Sequence, residues 1–132
     1  MNLFRSMIFA FAALAFGTIQ STMAQTTVTY SNLKADDTGA SKQNTTTILN
    51  GSVTSSNMAD NSTITLLVTV GSQTTKVDVK FTNGVANIFK KEINVPPGNT
   101  GDTATVTITV DSSSPGYSNG TNPNNTTTFK YQ

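Results

Sequence analysis

Thr103-Ala104-Thr105-Val106-Thr107-Ile108-Thr109-Val110 alternates threonine with an apolar residue at every step. Side chains of an extended chain point alternately to its two faces, so Ala104, Val106, Ile108 and Val110 share one side and the four threonines share the other. A helix would scatter the same residues around its circumference, so the stretch reads as a half-buried β-strand. Threonine suits the wet face, because its β-branch favours extended backbone and its hydroxyl stays hydrated.

The same alternation recurs on the N-terminal side. Residues 63–70 place Ile64, Leu66, Val68 and Val70 on one face, and Val77, Val79 and Phe81 alternate with Lys76, Asp78 and Lys80. Between these runs lie Gly71-Ser72-Gln73 and Thr82-Asn83-Gly84, and Asn-Gly tolerates the positive φ of a tight hairpin. Pro96-Pro97-Gly98-Asn99-Thr100-Gly101 separates a further strand, 85–95, from the strand at 103–110. Adding 26–30, 45–54 and 126–131 to 63–70, 76–81, 85–95 and 103–110 gives seven expected strands, and no segment carries a helical apolar stripe with caps. Short strands at such intervals predict an all-β fold, an immunoglobulin-like or fibronectin-like antiparallel sandwich of about seven strands.

The first residues read differently. Arg5 precedes an unbroken apolar run at 7–16, and a polar stretch then ends at Ala24. A run of this length suits the core of a secretory signal and falls short of the roughly 20 residues that span a bilayer. Residues 1–24 are therefore expected to be a signal peptide, and 25–132 one β-sandwich domain beginning at Gln25. That places the product outside the cell or on its surface, by way of the periplasm in a Gram-negative host, with no membrane insertion after cleavage.

Residues 25–132 hold 23 Thr, 13 Asn and 11 Ser, a polarity that would suggest disorder if the apolar residues were scattered rather than alternating. The chain has no cysteine, histidine or tryptophan. Disulfides, thiolate or imidazole metal sites and histidine-assisted nucleophiles are excluded by residue type. Beyond the signal, seven lysines face seven acids, so the clustered positive charge that nucleic acid requires is missing. No catalytic residue and no cofactor is expected.

The order of the Gly71 turn, Lys76-Val77-Asp78-Val79-Lys80-Phe81, Asn83-Gly84-Val85-Ala86, the Pro-Pro-Gly loop and the strand at 103–110 resembles the second half of bacterial extracellular Ig-like repeats. That resemblance implies a non-enzymatic structural or adhesive module of the cell surface or extracellular matrix. The ending Phe129-Lys130-Tyr131-Gln132, with alternating rings and a penultimate tyrosine, is similar to subunits of chaperone-usher pili. It implies an alternative, a self-assembling fibre subunit in which Phe129 and Tyr131 lie on an assembly strand served to a chaperone or a neighbouring copy, with the polar segment from Gln25 to Tyr30 as a candidate donor strand.

Other candidates are local. Residues 111–125 (DSSSPGYSNGTNPNN) form the longest unpatterned segment, and loops at the end of a sandwich commonly carry contacts; Tyr117, Asn119 and Asn122 are the contact candidates there, toward a protein or glycan partner. Tyr30, Tyr117 and Tyr131 would serve a carbohydrate-binding module if they converged on the surface. Asp36 and Asp37 read as a solvated turn rather than a calcium loop, which needs more oxygen ligands. Lys34, Asn125 and Glu92 are the residue types of an isopeptide cross-link, although Glu92 reads better as a surface charge. Asn44, Asn50, Asn61, Asn119, Asn124 and Asn125 stand in Asn-x-Ser/Thr triplets, which a chain this rich in Asn and Thr produces by composition.

Overall fold

Alternating hydrophobicity becomes two packed sheets in the computed structural model, which describes residues 25–37 and 45–132. The leader assigned to 1–24 and the triplet at Asn44 lie outside those residues. The strands are β1 (Thr26–Ala35), β2 (Thr46–Thr54), β3 (Thr63–Val70), β4 (Gln73–Lys80), β5 (Val85–Asn94), β6 (Thr103–Val110), β7 (Tyr117–Asn119) and β8 (Thr126–Lys130). They form one sheet ordered β5-β2-β1-β7 and another ordered β4-β3-β6-β8. Neighbours run antiparallel except β1 and β7, which pair in parallel. The fold is an all-β sandwich.

The expected faces hold. Ile64, Leu66, Val68 and Val70 are buried on β3, and Val106 and Ile108 are fully buried on β6, with Ala104 and Val110 packed at the margin. Thr105 is exposed and Thr107 half-buried. The Asn83-Gly84 turn has φ of 52° and 78°, and Thr82 and Val85 exchange backbone hydrogen bonds across it, as a two-residue hairpin with positive φ at both centres requires.

Six expected boundaries and one count are corrected, with the start of β2 and the ends of β4, β5 and β8 moving by one residue. β4 begins at Gln73 rather than 76, because Gln73, Thr74 and Thr75 pair with Val70, Thr69 and Val68 around a two-residue turn. β1 continues past Tyr30 to Ala35, and β8 ends at Lys130. An eighth strand, β7, arises within the segment read as unpatterned, since parallel pairing with Thr26–Val28 needs no alternation in so short a piece.

The continuation of β1 rests on a bulge. Ser31 pairs with Ser52 and Lys34 with Asn50, so Asn32 and Leu33 together oppose Gly51. Across β2, Leu49 pairs with Lys91 and Gly51 with Ile88, so Phe89 and Lys90 together oppose Asn50. Asn32 (φ 54°) and Lys90 (φ 48°) take the left-handed conformation at these two points. Each bulge shifts the inward set by one residue. In β1 the buried positions pass from Val28 and Tyr30 to Ala35, and on the β5 side from Ala86 and Ile88 to Ile93 and Val95.

Candidate functional site

Because Val28, Tyr30, Leu49, Val53, Ala86 and Ile88 face inward, their alternates form the outer face of the first sheet. Two rows cross it in register: Thr29, Thr54 and Val85, then Ser31, Ser52 and Asn87. The next outward position on β5 is Phe89, with 69 % of its surface exposed. Val85, at 41 %, is the other large apolar side chain exposed among the described residues, so both stand on one strand and one face. Alternation from the buried Ile88 points this ring outward, and the bulge begins at the same residue. Lys90 N donates to Asn50 Oδ1 at 2.9 Å, and Lys90 Nζ sits 5.3 Å from the centre of the Phe89 ring.

At the other end of this face lies an open depression of about 420 Å³ lined by Thr27, Thr29, Thr54, Ser55 and Ser56. Thr29 and Thr54 hydroxyls are 2.9 Å apart. Gly120 packs beside it, where a Cβ would be in ordinary contact with Thr27 and Thr29. Ser55 Oγ is shut off from solvent and has no hydrogen-bond partner. Every lining residue carries a hydroxyl and none is ionisable.

The contact candidates of the loop have divided roles. Tyr117 is half-buried against the core and pairs with Thr26. Asn119 accepts from Tyr30 Oη at 2.7 Å and donates to Ile108 O at 2.9 Å, which fixes its amide inside the fold. Asn122 is exposed, with φ of 53°. The loop leaves β6 at Asp111, whose carboxylate accepts from Ser113 Oγ and Ser113 N and stands 3.5 Å from Lys76 Nζ. These Ser113 hydrogen bonds, helped by Lys76, hold the Asp111 carboxyl below its ordinary range against the opposing effect of burial.

The chain's last rings lie in the interior. Phe129 is 1 % and Tyr131 4 % exposed, with ring centres 5.2 Å apart. Tyr131 Oη donates to Pro96 O at 2.6 Å, and a Cβ on Gly98 would approach that ring to 2.5 Å, so the Pro-Pro-Gly loop lies directly over it. With Tyr30 also buried at 2 %, the three tyrosines do not converge into a surface row. The exposed ring is Phe89, which sequence reading did not single out. Its one signal is the adjacent apolar pair Ile88-Phe89, of which an alternating strand buries only one member.

Asn125 Nδ2 donates to Ile108 O, and Glu92 is exposed on β5 in the opposite sheet from β8, so the isopeptide residue types are not gathered. Asp37 Oδ1 accepts from Lys130 N, tying the acidic turn to the edge of β8. Among the described residues no cluster of three metal-ligating side chains occurs, and no helix is long and apolar enough to cross a membrane. Comparison with protein families, with curated proteins and with solved structures finds no match for this chain.

Proposed function

We propose that this chain is a secreted, non-enzymatic, immunoglobulin-like module that adheres through the outer face of its first sheet. The observation carrying this reading is Phe89, a largely exposed ring beside a bulge, on a face that also carries hydroxyls, amides, the part-exposed Val85 and the Lys90 ammonium. The strand order supports the Ig-like part: β1, β2 and β5 lie together in one sheet, and β4, β3, β6 and β8 in the other, as in a fibronectin-like sandwich. The leader pattern of residues 1–24 supports secretion.

Strand exchange between copies is the weaker alternative. β8 already pairs with β6 over Thr126–Lys130, and its rings fill the protein's own interior. Expression with the native leader tests the reading: an extracellular, monomeric product starting at Gln25 that binds cell-surface or matrix preparations, with binding lost in Phe89→Ala, is the expected result. An intracellular product, or oligomers at micromolar concentration, counts against it.

A further inference from the structure

Resting on that adhesive reading, we infer that the occupant of the outer face of the first sheet is an uncharged glycan chain, lying from the hydroxyl-lined depression to the Phe89 ring. The depression is lined by five residues that carry hydroxyls, of which Ser55 Oγ is closed to solvent. A hydroxyl offers one proton and two lone pairs, so the mutual Thr29–Thr54 bond leaves one proton and three lone pairs for a ligand. Such a surface matches sugar hydroxyls, which also donate and accept. It offers nothing to an ion, whose desolvation it cannot repay.

The distance favours a chain of sugars over a single one. From Val85, beside Thr54, to Phe89 is four strand residues, roughly 13 Å at the usual rise. Ser52 and Asn87 lie between them, with Ser52 Oγ 3.4 Å from Asn87 Oδ1, and continue the polar track. At its end the face of the Phe89 ring that Lys90 Nζ does not cover offers a flat apolar surface on which the C–H face of a sugar stacks. A protein partner fits less well, because one ring and a partly exposed valine make too small an apolar centre for a stable interface.

The test is a two-dimensional NMR titration of the purified protein with soluble oligosaccharides of glucose, xylose, mannose and N-acetylglucosamine at millimolar concentration. At least one is expected to shift resonances of Thr27, Thr29, Thr54, Ser55, Asn87 and Phe89 while leaving the second sheet unmoved. Phe89→Ala should weaken that binding by about tenfold or more. Thr54→Val, which keeps shape and removes the hydroxyl, should weaken it several-fold, both with unchanged thermal midpoints. No shift with any of the four, shifts elsewhere, or shifts that persist undiminished in Phe89→Ala would overturn the inference. If Phe89→Ala abolishes surface adhesion yet no oligosaccharide moves the spectrum, the glycan inference fails while the adhesive reading stands. A parent protein that neither adheres to surface preparations nor shifts with any oligosaccharide fails both.

Discussion

Tyr30 Oη, Asn119 and Ile108 O form a chain of hydrogen bonds joining the two sheets, with Asn125 Nδ2 as a second donor to the same carbonyl. Removing the first donor leaves Asn119 Oδ1 without a partner in a half-buried place. Tyr30→Phe is therefore expected to destabilise by about 1–3 kcal/mol in urea unfolding, with little change in the slope. On β6, Ile108→Ala should cost about 2–5 kcal/mol, and Thr105→Ala under about 0.5, since only the first empties a fully buried site. Equal costs would mean that both faces of the strand are buried. The placement of Ile108 was legible, because alternation is a local property of the strand. The fixed role of Asn119 was not, because its partner Tyr30 lies 89 positions away, and nothing around Asn119 distinguishes a buried amide from an exposed one.

The paired bulges flanking β2 are what local periodicity conceals. Val28 and Tyr30 set an even register and Ala35 an odd one, so reading by alternation stops where the strand shifts phase rather than where it ends. Glycine at 51 belongs to this geometry, for a Cβ there would meet Leu33 Cδ2 at 2.5 Å and Leu33 Cα at 3.3 Å. Gly51→Ala should thus cost about 1–3 kcal/mol, and pairing it with Leu33→Ala should recover part of that loss in a double-mutant cycle of thermal midpoints. Additive losses would show that the close approach is not what excludes a side chain. Deleting residues 126–132 should unfold the protein, as read by circular dichroism, because it removes a strand and two buried rings. A truncated chain keeping the parent's midpoint would instead revive the exchanged-strand reading.

Across the whole molecule, burial pushes the Tyr30 phenol well above its ordinary range, and burial with the nearby Asp102 charge raises Tyr131. A folded pKa above the unfolded one means that the native state holds its proton more tightly. The resulting stability is intact below the unfolded value of about 10 and is lost as pH rises through the folded values. Tyrosinate absorbance from these two rings should therefore appear together with loss of the β-sheet signal. Ionisation with the sheet intact would show that their rings are open to solvent. The two-sheet architecture was legible because its evidence repeats along the chain, whereas the contact face depends on which strands become neighbours. The parallel pairing of β1 with β7 has a consequence in time. β1 precedes the other strands in synthesis and can pair early with β2, yet its other edge waits for residues 117–119, so the first sheet is complete only once that late segment is made. Contacts so distant in sequence slow folding into the millisecond-to-second range typical of β-sandwiches. Until then, the earliest strand travels with one edge unpaired.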